Sequence, residues 1–178
     1  MFSEFEINIL IWIQENLRCT FLDYVMHYIT YLAEYGLLPI IISVVLISIK
    51  RTRKCGIAMA LSIAMGFIIV NLGLKPLIAR VRPYDAYPLY ELLINAQSDF
   101  SFPSGHTLVA FECAMILAMY YKKLALPSLI IASLVGFSRL YLYVHYPTDV
   151  LCSVLFGIVF AFVSKAVVEK VLKINSAF

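Results

Sequence analysis

The chain has 178 residues, of which 62% are apolar and only 14% charged, against roughly 45–50% and 25% in ordinary soluble domains. A soluble domain of this size leaves a large share of its residues facing water and could not hide that much apolar surface; the same composition excludes intrinsic disorder. The net charge of +3 comes without a basic block interleaved with aromatics, which argues against a nucleic-acid partner. What remains is an integral membrane protein.

In chain order, residues 4–17 read as an amphipathic helix. Ile7, Leu10, Ile11 and Leu17 recur at helical spacing, with Glu6, Gln14 and Glu15 interspersed. Trp12 suits an anchor at headgroup level. With Glu4 and Glu6 in place of a basic region, no cleavable leader is expected. Residues 20–34 mix Asp23, His27 and Glu34 with aromatics, and whether they span the bilayer stays open.

Five spans follow. They cover 35–49 (from about Tyr35), 55–74, 106–121, 124–138 starting near Pro127, and 150–164 continuing to Lys173. Cys55 to Leu74 carries no charged residue, and about 20 apolar residues at roughly 1.5 Å each cross the hydrocarbon core. The runs are apolar on every face, so they are helices and not barrel strands. The expected fold is all-α: a polytopic transmembrane helix bundle of five spans, with a sixth left open within 1–34. It forms one domain, with a first membrane segment (1–34) and a core (35–178). Cys19, Cys55, Cys113 and Cys152 lack metal-ligand spacing; Cys55, Cys113 and Cys152 fall within or at the ends of apolar spans and read as small hydrophobes, not disulfide partners.

Basic residues between spans set the orientation. Lys50-Arg51-Thr52-Arg53-Lys54, Lys122-Lys123 and the group Lys165, Lys170 and Lys173 fall on one side when the helices alternate. The positive-inside rule makes that side cytoplasmic. The opposite face receives 75–105 and 139–149, yet it carries Lys75, Arg80, Arg82 and Arg139. Interfacial anchoring is the bland reading of any one of them. Four cations from two separate connections point to an anionic ligand.

Three motifs lie on that face: Lys75 to Arg82-Pro83, Pro103-Ser104-Gly105-His106, and Ser138-Arg139 followed by His145 and Asp149. Arg holds phosphate oxygens with a planar fork and Lys adds a point charge. Pro103-Ser104-Gly105-His106 opens a span, so it offers the free N–H groups of a helix N-terminus, and Gly105 permits close approach. A neutral imidazole can attack phosphorus while a carboxylate on its other nitrogen fixes the tautomer. His145 and Asp149, four residues apart around Pro147, suit that pair; His106 would protonate the leaving group. A lone histidine near a membrane surface is more often packing than chemistry, a lone His-x-x-x-Asp arises readily by chance, and Pro-Ser-Gly-His alone is moderately specific; it is their joint occurrence on one face that carries the reading.

Together these residues resemble the type 2 phosphatidic acid phosphatase superfamily, whose pattern is Lys-x6-Arg-Pro, Pro-Ser-Gly-His and Ser-Arg-x5-His-x3-Asp. The match comprises Lys75, Arg82, Pro83, Pro103, Ser104, Gly105, His106, Ser138, Arg139, His145 and Asp149. The resemblance implies that His145 is the nucleophile and forms a phosphohistidine, that Asp149 orients it, and that His106 is the general acid. It implies that Lys75, Arg82, Ser104, Gly105 and Arg139 hold the phosphate, with no metal or cofactor. The expected protein is a multi-pass lipid phosphatase of a bacterial plasma membrane, with its site on the non-cytoplasmic face. Undecaprenyl pyrophosphate is the preferred substrate. A phosphatidylglycerophosphate or phosphatidic acid phosphatase, a lipid phosphotransferase, and a non-enzymatic carrier of phosphate headgroups are the alternatives. Arg80 has two open readings, contact with a second phosphate or with the headgroup layer. Glu112, six residues after His106 in an apolar helix, is costly unless paired or hydrated; Asn71 or a Tyr hydroxyl is its expected partner. His27 reads as structural, and Tyr141, Tyr143 and Tyr146 as an interfacial belt.

Overall fold

The structure, a computed structural model, describes residues 2–33 and 36–174. Glu34 and Tyr35, placed above at the end of the mixed stretch and the start of the first span, lie outside the described residues. The described residues are helical with no strand. The helices are α1 (Phe2–Leu17), α2 (Thr20–Tyr31), α3 (Leu37–Ser48), α4 (Arg53–Gly66), α5 (Lys75–Ile78), α6 (Pro83–Ala86), α7 (Gly105–Tyr120), α8 (Lys122–Tyr141) and α9 (Pro147–Ile174). A π-helical stretch, Phe67–Leu74, joins α4 to α5.

Three segments are long and apolar enough to cross a membrane: Arg53–Ala86, Lys122–Tyr141 and Pro147–Val171. Leu37–Ser48 and Gly105–Tyr120 are shorter apolar helices and coincide with the other two expected spans. Their outward faces are studded with Ile41, Val45, Ile68, Leu72, Ile130 and Leu155, all exposed. An apolar belt of this extent suits lipid, not water. All four cysteines are free.

Helix α7 is the central element and packs most extensively on α8 and α9, while α4 packs on α3 and α9. Small residues set these crossings, as expected where backbones rather than apolar burial drive association. A Cβ on Gly157 would lie 2.9 Å from Phe111 Cβ, and one on Gly56 would lie 2.6 Å from the Ile47 nitrogen. Ser43 Oγ donates to the Gly56 carbonyl at 3.0 Å across the α3–α4 contact. Helix α8 starts at Lys122, before the expected Pro127. Pro127 therefore lies inside the helix, where its missing N–H removes one i→i−4 backbone bond. Helix α9 begins at Pro147, the first-position proline that the sequence indicates.

The two ends of the bundle differ. One end gathers Cys55, Tyr120, Tyr121 and Val168 into one cluster, beside the basic α3–α4 and α7–α8 connections. The other end is capped by α1 and α2, which pack on the 141–146 turn through Ile7, Leu10, Ile13 and Met26. There the amphipathic reading of α1 needs a correction. Glu6 and Gln14 lie on its buried face, and Gln14 Nε2 donates to the Tyr141 carbonyl at 2.7 Å. The polar positions meet unpaired groups of a turn, so they face inward; Trp12 is exposed. The tyrosine belt is corrected too. Tyr141, Tyr143 and Tyr146 are all buried in this cluster, where Tyr143 Oη donates to the Tyr87 carbonyl at 3.1 Å.

Candidate active site

The first motif is built by an irregular helix end. The Lys75 N–H reaches back five residues to the Val70 carbonyl, a π-type bond of the kind that clusters at functional sites. Asn71 and Lys75 both line one internal cavity. Ala79 then adopts a left-handed conformation, φ 49°, and the chain turns away from the helix axis. Arg82 is buried. It donates through Nε to the Asp99 carbonyl (2.8 Å), through Nη2 to Asp99 Oδ1 (2.5 Å) and through Nη1 to the Val144 carbonyl (2.8 Å). The Lys75 ammonium bonds the other oxygen of Asp99. One carboxylate thus bridges two cations expected to hold phosphate. Burial pushes the Asp99 carboxyl up, but the hydrogen bonds and charges of Lys75 and Arg82 outweigh it and hold the group at about 2.

The second motif opens α7. Ser104 is its extended N-cap and Gly105 its first residue, so the N–H groups of the first turn are available to an anion. A Cβ on Gly105 would meet Asn71 Oδ1 at 3.5 Å and Lys75 Nζ at 3.8 Å, so this turn faces the first motif. Thr107 Oγ1 donates to Ser104 Oγ at 3.0 Å. The Ser104 N–H donates to the Asp149 carbonyl at 3.3 Å and ties the second motif to the third.

The third motif straddles the α8–α9 turn. Arg139, in the last turn of α8 and fully buried, donates to Thr30 of α2. Tyr143 is held at φ 60°, a costly conformation for a non-glycine residue that packing must enforce, two residues before His145. His145 is 1% exposed and Asp149 0%. Arg82 Nη1 lies 3.3 Å from His145 Nε2. A guanidinium can only donate, so Nε2 is the acceptor and the ring proton sits on Nδ1. That nitrogen faces Asp149 Oδ2 at 3.5 Å, an open pairing of the kind that tightens when substrate binds. Burial, reinforced by Arg82, Arg139 and Lys75, holds His145 well below the ordinary imidazole value, so the ring is neutral. Arg82 beside His145 joins the first motif to the third, and the Ser104 N–H on the Asp149 carbonyl joins the second to it. The three motifs therefore converge on one pocket.

Arg80 belongs to a different set of contacts. It bonds Asp149 Oδ1 at 2.5 Å, Glu6 Oε2 at 2.6 Å and Thr148 Oγ1 at 2.8 Å. Glu112 accepts from Ser62 Oγ at 3.3 Å, not from Asn71 or a tyrosine. A Cβ on Gly66 would lie 2.6 Å from its Oε1, so glycine makes room for the carboxylate. His27 packs edge-on against Tyr31, 5.1 Å between centroids. Sequence reasoning missed Asp99, Ser101, Glu6 and Thr148. Asp99 had a legible signal as the acid nearest the Pro103-Ser104-Gly105-His106 motif on the chain.

From this pocket a cavity of about 890 Å³ runs between α3, α4 and α7. Lys75, Gly105 and His106 stand at its polar end; Val44, Ile47 and Ile63 line its apolar length, with Glu112 in the wall. Among the described residues no group of three or more His, Cys, Asp or Glu side chains could hold a metal ion.

Comparison with known proteins bears on this arrangement. The family model described as the PAP2 superfamily matches residues 56–173. A protein of Sulfolobus acidocaldarius named undecaprenyl-diphosphatase is 33% identical over 132 residues, covering 74% of this chain and 63% of that protein's length. Phosphatidylglycerophosphatase B of Bacillus subtilis is 36% identical over 169 residues, 87% of this chain and 79% of the relative. A crystal structure of a transmembrane PAP2-type phosphatidylglycerolphosphate phosphatase from Bacillus subtilis superposes with a TM-score of 0.78 at 31% identity, covering 94% of this chain and 86% of that one. With the family match extending over all three motifs that build the pocket, the chain belongs to the PAP2 superfamily.

Proposed function

We propose that the protein is an integral membrane lipid phosphatase that cleaves a phosphomonoester or pyrophosphate through a phosphohistidine at His145. The observation that carries the reading is the setting of the His145 ring: Arg82 Nη1 lies 3.3 Å from Nε2 and Asp149 Oδ2 lies 3.5 Å from Nδ1, an arrangement that turns the Nε2 lone pair toward the cationic pocket. In the first step Nε2 forms a bond to phosphorus as the bond to the lipid oxygen breaks, and His106 gives that oxygen a proton. Asp149 stabilises the imidazolium. In the second step His106 takes a proton from water, the water oxygen bonds phosphorus, and the N–P bond breaks to release phosphate. Lys75, Arg82, Arg139, Ser104 and the first turn of α7 at Gly105 neutralise the equatorial oxygens.

Five spans of the 35–178 core cross the bilayer, a sixth within the first segment (1–34) stays open, and the pocket lies on the non-cytoplasmic side. The positive-inside bias of the opposite end supports this orientation. The lipid tail occupies the apolar cavity, and Glu112 contributes to its wall. Undecaprenyl pyrophosphate is the preferred substrate, supported by the name of the Sulfolobus relative. Arg80 lends it no support, since that guanidinium is engaged by Glu6 and Asp149. Phosphatidylglycerophosphate is the second reading, favoured by the longer match to the Bacillus subtilis relative.

The test is a headgroup panel, monophosphate and pyrophosphate on isoprenoid and glycerolipid tails, read as phosphate release by wild type and His145→Ala. The variant is expected to be folded and inactive on every substrate. Phosphate release by His145→Ala at the wild-type rate would remove the mechanism. His106→Ala is expected to lose turnover most with poor leaving groups; equal losses with good and poor ones would remove its acid role. Cleavage of phosphatidylglycerophosphate but not undecaprenyl pyrophosphate would select the second substrate.

A further inference from the structure

Arg80 is the one cation of the first connection that the proposed chemistry leaves without a task. Its direction is fixed by the backbone. After left-handed Ala79, whose N–H closes on the Lys75 carbonyl at 2.9 Å, the chain reaches Arg82 in an extended conformation, φ −74° and ψ 155°. In extended chain alternate side chains share a face. Arg80 and Arg82 point inward, while Val81 between them is exposed. Arg82 enters the phosphate pocket, and Arg80 reaches the far side of Asp149.

There the two oxygens of Asp149 divide their partners. Oδ2 faces His145 Nδ1 and accepts from Ser101 Oγ at 2.5 Å and from the Tyr146 N–H at 2.9 Å. Oδ1 is held by Arg80 Nη1 at 2.5 Å. The guanidinium is fixed in turn. Glu6 bonds Nη2, Thr148 Oγ1 accepts from Nη1, and the Tyr146 ring lies 3.9 Å from the guanidinium carbon. Glu6 is buried and also accepts from Thr148 N–H at 2.9 Å and Thr148 Oγ1 at 2.5 Å. Such a buried ionic network contributes little net stability over apolar packing, so stability does not account for its presence.

Geometry does. The carboxylate must stay in line with Nδ1 while the ring turns from neutral to cationic and back, and with only Oδ2 held it could rotate about its Cβ–Cγ bond. We infer that Arg80, anchored by Glu6 of α1, is a positioning residue that locks the Asp149 carboxylate toward His145. Helix α1 then belongs to the catalytic apparatus and does more than anchor the chain at the membrane surface. The inference rests on the roles proposed above for His145 and Asp149.

The test uses the full chain in detergent, with rapid-quench trapping of phosphoenzyme from labelled lipid monophosphate and diphosphate. Wild type, Arg80→Gln, Arg80→Lys, Glu6→Gln and His145→Ala are compared, with rates normalised to folded protein. Arg80→Gln is expected to slow phosphoenzyme formation and kcat by roughly 10–100-fold, the range seen when an orienting partner is removed. KM should change little, and the loss should be equal on both lipids. Arg80→Lys restores a large part, because an ammonium can hold Oδ1 but cannot also grip Glu6. Glu6→Gln gives a smaller loss of the same kind. Wild-type kcat in Arg80→Gln overturns the inference, as does a KM rise confined to the diphosphate, which would make Arg80 a phosphate ligand. If Arg80→Gln does not fold, wild-type kcat in Glu6→Gln, or a kcat in Arg80→Lys as low as background, overturns it instead. Wild-type turnover by His145→Ala removes the underlying mechanism; inactive His145→Ala beside fully active Arg80 and Glu6 variants removes this inference alone.

Discussion

Asp99 carries a negative charge into the pocket proposed to receive the substrate's phosphate. Its two oxygens are taken by Lys75 and Arg82, so under the proposed mechanism an arriving phosphate would exchange with a carboxylate and would not enter bare cationic space. Such an internal competitor would weaken ground-state binding of phosphate and help expel the product. Asp99→Asn is expected to tighten inhibition by inorganic phosphate or orthovanadate roughly tenfold, the factor that about 1.4 kcal/mol gives, in a competition assay. Because Lys75 and Arg82 hold the Asp99 carboxyl at about 2, the gain should be flat between about pH 5 and 9; unchanged inhibition would show that the carboxylate does not compete. His145 gives a pH effect of definite sign. Its native pKa is depressed, so below about pH 6.5 the unfolded chain takes up a proton that the native ring refuses. Stability attributable to this group is therefore present at neutral pH and falls as the pH drops, by at most about 1.4 kcal/mol per unit. In thermal unfolding at pH 7 and pH 5, His145→Gln should lose less stability between the two than wild type. An equal or larger loss would contradict a buried neutral imidazole.

Helices α7 and α9 bring the second and third motifs together, and their separation is set by one position. Beside Gly157 there is no room for a Cβ: Phe111 Cβ would stand at 2.9 Å and the Leu108 carbonyl at 3.1 Å. Gly157→Val should destabilise the protein by about 1–3 kcal/mol, as overpacking does, and lower turnover. Gly73→Ala, whose Cβ would find its nearest neighbour at an ordinary 3.7 Å, serves as the neutral comparison in the same thermal unfolding measurement. What the sequence revealed at this scale follows from what its pattern encodes. The three motifs were legible because each needs fixed residue types at fixed spacing, and the apolar runs located the helices to within a few residues. Facing was not legible. A span that is apolar all round has no preferred side in its pattern, so nothing in Phe67–Leu74 announced a π-helix. In α1 the inward turn of Glu6 and Gln14 depends on partners, Thr148 and Tyr141, more than a hundred residues away. The buried tyrosines were misread for the same reason: an aromatic next to a span looks alike whether it meets headgroups or a folded turn.

At the scale of the whole molecule, the bundle separates a basic end from a motif end and links the motif end to the apolar interior by one cavity. The cavity begins at Lys75, Gly105 and His106 and continues past Val44, Ile47 and Ile63. A substrate with a charged head and an apolar tail fits that sequence of surfaces, since the head meets cations while the tail leaves water. The tail's burial then supplies binding energy at a distance from the reacting phosphorus, and a substrate without a tail forgoes it. Val44 allows these contributions to be separated, because it lines the cavity on α3 and is itself 56% exposed, so a larger side chain can be accommodated without breaking the core. Val44→Trp should lower kcat/KM for a long-chain lipid phosphate by roughly tenfold, the equivalent of about 1.4 kcal/mol of lost tail contact, and leave hydrolysis of a short, water-soluble phosphate ester unchanged. If both substrates suffer alike, the tail does not lie between α3 and α4; if neither does, it lies outside the bundle altogether, and the cavity serves something other than the substrate.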